Sequence, residues 1–215
     1  TENCEEGIYV YPDGFSANIK KTDIFAFRIN NSRETSLSKI YDDLVKILKY
    51  EKEHGKIVYV MGPAFSFDLK AKEAMVALIN NGYCHGLLAG NALATHDLEG
   101  AYLGTALGQD IYTKESVPNG HYNHLDLINK VRYYGSIKKF IEGEKINSGI
   151  MHALETHNIP YVLAGSIRDD GPLPEVISNS CDAQNAMRDM IRDATTLICL
   201  ATMLHSIATG NMFPS

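Results

Sequence analysis

No block of like charge interrupts this chain, although its net charge is −6. Phosphates are met by clustered Lys and Arg, so neither a nucleic acid nor an anionic membrane surface is an expected partner. No apolar run approaches the roughly 18–20 residues needed to cross a bilayer. The first residues, TENCEEGIYVYPDG, are acidic and carry no signal-peptide pattern. Cys4, Cys84, Cys181 and Cys199 are the only cysteines, and none stands in a CxxC pair. A secreted disulfide framework is thereby disfavoured, and free thiols in a reducing cytoplasm are expected. The sequence also lacks the G-x-G-x-x-G fingerprint, a serine nucleophile elbow, a P-loop and a zinc-type cysteine cluster.

What is present suits one large α/β domain. The 215 residues are 45% hydrophobic, enough for one substantial core, with or without a small appendage. Residues 1–33 are read as an N-terminal segment or the remnant of a preceding domain, and 34–215 as the main domain. The chain begins at Thr1 and stops at GNMFPS, and is expected to be a piece of a longer polypeptide.

Four short apolar runs end alike, on small residues: IVYVMGP at 57–63, GLLAGN at 86–91, YVLAGS at 161–166 and LICLAT at 197–202. Each reads as a strand, and a further strand is expected at 24–30, after a turn at Pro12-Asp13-Gly14. Helices are predicted between them by apolar residues at helical spacing. One runs from a Thr35-Ser36 cap to Gly55 and one from Asp68 to Gly82. Another covers about 95–108, two lie within 124–157 with a break near Glu142-Gly143, and one covers 180–194. A short helix begins near Thr202. Strands alternating with helices imply a parallel sheet. Uniformly apolar strands imply burial on both faces. The expected fold is a three-layer, doubly wound α/β domain, with a ligand crevice beyond the carboxyl ends of the strands.

The residues just past these strand ends are polar. Asn91, Thr95, His96, Asp97 and Glu99 follow the second, Ser166, Arg168, Asp169 and Asp170 the third, and Thr202 and His205 the last. Arg168 could grip a carboxylate in bidentate fashion, and His96 or His205 could move a proton near neutral pH. The plainer alternatives are a solvated ion-paired loop at 168–170 and helix capping at His96-Asp97. Gly100, Gly104 and Gly108 recur every fourth residue and suggest a helix face that packs closely. His121 and His124 have metal-pair spacing without an evident third ligand, so a surface turn is the plainer reading.

Three longer phrases are more specific: LLAGNALATHDLEGAYLGTALG (87–108), VLAGSIRDDGPLPEVI (162–177) and ATMLHSIATGNMFPS (201–215). From about residue 57 onward the chain resembles the LOR/SDH bifunctional-enzyme conserved-domain family. That family includes archaeal-type ornithine cyclodeaminases and a module fused behind a cyanobacterial arginine dihydrolase. The resemblance implies a Rossmann-like NAD-binding domain of the deoxyhypusine synthase type. It places cofactor contacts at Asn91, Ala92, Asp170, Thr202, Met203, Leu204 and His205. The implied reaction converts L-ornithine to L-proline and ammonia with NAD used catalytically. Within it, Arg168 would suit a carboxylate clamp and His96 or Asp97 the base. The chain departs from the family at GPAFSFD (62–68), where members carry a His-containing segment. Members also carry an N-terminal domain and a further strand after GNM-PS, and their crevices tend to be completed by a neighbouring subunit, which implies a homodimer or larger assembly. Another NAD-dependent amino-acid oxidoreductase and a non-catalytic NAD-binding module stay open as alternatives.

Overall fold

The computed structural model describes residues 36–106, 108–113, 115–167, 169 and 171–213. The turn expected at Pro12–Gly14 and the strand expected at 24–30 lie outside them. The chain divides into two compact units, Thr1–Ile47 and Leu48–Ser215. The described part of the first is the opening of helix α1 (Ser36–His54).

The second unit is built on a five-stranded sheet. Its strands are β1 (Ile57–Met61), β2 (Gly86–Gly90), β5 (Tyr161–Ala164), β6 (Val176–Ile177) and β7 (Thr196–Leu200), in the spatial order β6-β5-β2-β1-β7. Every pairing is parallel, with Met61 opposite both Ala89 and Leu200, and Gly90 opposite Ala164. The four carboxyl ends expected to share one edge therefore do so. Two-residue strands β3 (Thr105–Ala106) and β4 (Gln109–Asp110) form a separate antiparallel pair. Neither they nor β6 is legible in the sequence, because two residues show no periodicity.

Alternation along the strands divides the core between two faces. Ile57, Tyr59, Met61, Leu87 and Ala89 pack on one side. There they meet α2 (Leu69–Asn80), α3 (Asn91–Leu103), α4 (Asn123–Tyr134), α5 (Ile137–Gly143) and α6 (Ile150–Thr156). Val58, Val60, Leu88 and Val162 face the other side and meet Met187 and Ile191 of α7 (Ser180–Ile191). Met212 of α8 (Leu204–Met212) packs against that second cluster. This is the expected three-layer arrangement.

The caps account for the boundaries. Asp68 accepts from Ala71 N–H at 3.0 Å and opens α2. Asn179 accepts from Cys181 and Asp182 N–H and opens α7. The region 124–157 holds three helices instead of two. Gly135, at φ +79°, ends α4, and Ser136 caps α5 by accepting from Lys139 N–H. The glycine face expected at Gly100, Gly104 and Gly108 is not one helix face. Gly104 takes the left-handed conformation and ends α3, and Gly108 lies in the turn between β3 and β4. A left-handed glycine satisfies the last carbonyls of a helix, so a Gly at this position stops α3 where an Ala would prolong it.

Sheet order reverses at β1: β2 and β5 lie on one side of it and β7 on the other. Gly62 follows β1 and donates its N–H to Leu200 O at 2.9 Å. A Cβ at Gly62 would sit 1.9 Å from Ala201 O. The chain ends of β1 and β7 can come this close only because residue 62 has no side chain.

Candidate active site

A cavity of about 640 Å³ opens beyond the carboxyl ends of these strands, within the usual size of a small-molecule site. Pro63 and Phe67 border it from the 3₁₀ turn after β1. Gly90, Asn91, Ala92, Thr95 and His96 contribute the start of α3. The loop after β5 adds Gly165, Ser166, Ile167 and Asp169, and α4 adds His124 and Ile128. Thr202, Leu204 and His205 close the side below β7.

The sequence-predicted residues are thus partly gathered here. Asn91, Ala92, His96, Thr202, Leu204 and His205 line the cavity. Met203 is 79% exposed and lies outside the lining. Arg168 and Asp170 lie outside the described residues.

Asp97 is not brought to the cavity. Its side chain is fully buried, on a different face of α3 from His96. One carboxylate oxygen pairs with Lys72 Nζ at 2.9 Å, and the other accepts from Met151 N–H at 2.8 Å. Lys72 also donates to Asp97 O at 3.1 Å. Asp97 therefore ties α3 to α2 and α6, and cannot reach a ligand as a base.

Asn91 is buried, and both ends of its amide are engaged. Nδ2 donates to Gly171 O and Oδ1 accepts from Leu173 N–H, each at 3.0 Å. The side chain moors the loop after β5 to the start of α3. What Asn91 can offer a ligand is its backbone N–H. Asp169 pins the same loop from within, since its carboxylate accepts from Ser166 N–H at 2.8 Å.

His96 is paired with a carboxylate on its own helix. Its Nδ1 lies 2.9 Å from Oε2 of Glu99, one helical turn on. Glu99 is only 1% exposed, and its Oε1 accepts from Thr105 Oγ1 at 2.9 Å. Thr105 in turn accepts from Asn123 Nδ2 at 2.8 Å. The donors run Asn123 to Thr105 to Glu99, so Oε1 of Glu99 is an acceptor. With a carboxylate oxygen at Oε2 the ring proton is assigned to Nδ1, which leaves Nε2 as the ring's acceptor. The Phe67 ring packs against His96 at 5.1 Å between centroids, and the His124 ring stands at 6.3 Å.

His205, at the start of α8, also lines the cavity. Burial pushes its pKa below the ordinary histidine value, so the ring is neutral near pH 7. A Cβ on Gly90 would come within 3.1 Å of its Cε1, so the glycine at the end of β2 gives this imidazole its place. The α3 and α8 helix starts have no side-chain cap. Their first N–H groups are therefore available to an acceptor in the cavity.

The His121/His124 pair is split. His121 packs against Tyr122 with the rings tilted and their centroids 4.0 Å apart, while His124 joins the cavity wall. Among the described residues no group of three or more metal-binding side chains occurs. Cys84, Cys181 and Cys199 are free thiols, and no described helix is long and apolar enough to cross a membrane.

Residues 39–215 match the family model described as arginine dihydrolase ArgZ-like, C-terminal, Rossmann fold. The chain belongs to this family. It is 47% identical over 185 residues to the ornithine cyclodeaminase of Methanocaldococcus jannaschii, covering 85% of this chain and 44% of that protein. A LOR/SDH protein from Methanococcus maripaludis superposes with a TM-score of 0.79 at 43% identity, over 86% of this chain and 56% of that one. AgrE, solved as a ternary complex with ornithine and NAD+, superposes with a TM-score of 0.80 at 39% identity, over 86% of this chain and 27% of AgrE. The chain spans about half the length of the archaeal curated relatives it matches. Rossmann-fold family membership explains how a doubly wound sheet appears here without the glycine fingerprint. At the strand ends Gly62 lets the chain after β1 approach Ala201, and Gly90 makes room for the His205 ring.

Proposed function

We propose that this chain forms the NAD-binding and catalytic domain of an ornithine cyclodeaminase, converting L-ornithine to L-proline and ammonia. The observation that carries the reading is the convergence of two uncapped helix starts and His96 on one cavity at the sheet's switch point. Such a place suits a dinucleotide, because N–H groups at helix starts meet a pyrophosphate favourably. Backbone N–H groups of Asn91 and Ala92, and the Thr202–His205 turn, would hold the nucleotide. A neutral His205 adds a polar ring there without a competing charge. Asp170 belongs to the same proposal, as a partner for a ribose hydroxyl pair.

Bound NAD+ supplies the hydride acceptor and, later in the same turnover, the donor. The chain's own residues have three tasks. His96 Nε2 takes a proton from the substrate's α-ammonium group, so that the nitrogen lone pair can assist loss of hydride from Cα. Arg168, in the loop that Asn91 moors, grips the substrate carboxylate. Phe67, Ile128 and Leu204 give the cavity apolar walls that limit water. Residues 34–215 form the nucleotide domain in this reading, and 1–33 belong to what precedes it. Exposed Met203, Leu204 and Ile207 beside the cavity support a homodimer or larger assembly. The free thiols are in keeping with a cytoplasmic enzyme.

The test is incubation of the full chain with L-ornithine and NAD+, following proline, ammonia and NADH. Proline and ammonia should form in equal amounts with no net NADH. Net NADH without proline would make the protein an ordinary amino-acid oxidoreductase. Nucleotide binding without any turnover would make it a binding module.

A further inference from the structure

We infer that Glu99, Thr105 and Asn123 form a positioning relay that sets the tautomer and basicity of His96. The inference rests on the cyclodeaminase reading for its reaction but on geometry for its substance. Glu99 is a carboxylate that the core would otherwise reject. It is 1% exposed, and both of its oxygens are engaged by partners at 2.9 Å. The relay spans three elements, α3, β3 and α4, so it holds the imidazole from a rigid frame. Its far end, Asn123, opens the helix that carries His124 and Ile128 into the cavity.

The direction of donation decides what the relay does. Asn123 donates to Thr105 and Thr105 to Oε1 of Glu99, and the other carboxylate oxygen is the acceptor for Nδ1–H. That leaves the Nε2 lone pair facing the substrate. When Nε2 takes the proton, the N–H bond of the substrate's ammonium breaks and its electron pair stays on nitrogen. The imidazolium that forms has the buried Glu99 carboxylate at its other end. An ionised acceptor beside a forming cation makes the base stronger, and more so in a dry setting. Other titratable groups near the ring are His124 at 6.3 Å between centroids, and Asp169 and His205 elsewhere on the wall. Lys72, on α2, is committed to Asp97.

The variants Glu99→Gln and Thr105→Val test the relay in the full chain with ornithine and NAD+. In Glu99→Gln we expect kcat to fall by about 10–100-fold, with KM and NAD affinity changed less than about twofold. The acid limb of the rate profile should move to lower pH, because a neutral amide stabilises the imidazolium less. Thr105→Val keeps the side-chain shape but removes the donor to Glu99, so the same limb should move by a smaller amount in the opposite direction, to higher pH. The 15N shifts of His96, assigned with His96→Gln, report the tautomer without any turnover. They should show Nδ1–H in the wild-type chain. An Nε2–H tautomer, or both variants with unchanged kcat and pH profile, would overturn the relay. Should the wild-type chain make no proline, the cyclodeaminase reading falls, and the tautomer alone still decides the relay.

Discussion

Asp97→Asn is the substitution that separates a structural carboxylate from a catalytic one. Asp97 is fully buried, and its pair with Lys72 is nearly so. Removing one partner of a buried ion pair leaves the other charged and desolvated, at a cost of about 3–5 kcal/mol. Asparagine can still accept from Met151 N–H through its oxygen. Its NH2 group would then face the Lys72 ammonium, donor against donor. With a urea m-value of about 2–3 kcal/mol/M, the unfolding midpoint should drop by about 1–2.5 M. The double variant Asp97→Leu/Lys72→Met removes both charges, and should recover most of that loss because an apolar pair of similar volume needs no solvation. Urea titration of wild type, Asp97→Leu, Lys72→Met and the double variant gives the coupling directly. The reasoning fails if Asp97→Asn unfolds within about 1 kcal/mol of wild type, or if the double variant is as unstable as the two single losses added together.

Four further outcomes follow from the same geometry. Gly62→Ala should cost about 1–3 kcal/mol and weaken NAD binding, since its Cβ would meet Ala201 O at 1.9 Å. Gly135→Ala, at φ +79° in open space, should cost only about 1 kcal/mol and leave NAD binding alone, as measured by denaturation and calorimetric titration. Asn91→Ala strands Gly171 O and Leu173 N–H, so a loss of about 2–4 kcal/mol is expected, with faster proteolysis within 166–173. In acid, stability should decline. Burial lowers the pKa of His205, and burial together with the Lys56 charge lowers that of His85, whose Nδ1 accepts from Ile57 N–H. Both rings take up protons more readily when unfolded. Their contribution is therefore complete above the unfolded value of about 6.5 and is lost as pH falls through the lower folded values. Thermal midpoints between about pH 8 and 5 should fall toward the acid end, and a flat profile would contradict the assignment.

The fold was legible where a single physical signal dominated. Four apolar strands ending on small residues could only pack as a buried parallel sheet, and their endings marked the edge that carries the cavity. Caps such as Asp68 and Asn179 were readable because a short polar side chain before an apolar stripe has one common use. Local spacing failed where long-range pairing decided the outcome. Strand β6 exists because Leu163 and Ala164 offer it an edge, and nothing in the dipeptide Val176-Ile177 announces that. The glycine series misled because Gly104 serves as a stop signal and Gly108 as a turn, although their spacing fits one helix face.

The site shows the same division at finer scale. His96 and Asp97 are adjacent in sequence, but neighbours on a helix point about 100° apart, whereas residues three apart lie about 60° from one another. On that rule alone His96 pairs with Glu99, and Asp97 turns toward the core, as the distances of 2.9 Å to each partner bear out. The geometric signal was present in the phrase HDLE. Its meaning depended on which face of α3 met the cavity, and that is set by remote residues. Lys72 and Met151 draw Asp97 inward, while Thr105 and, through it, Asn123 supply the polar contacts that accommodate the buried Glu99 beside His96. Two acidic residues a half-turn apart thus receive opposite tasks, one holding helices together and one holding a base, from partners 6–54 residues away in the chain.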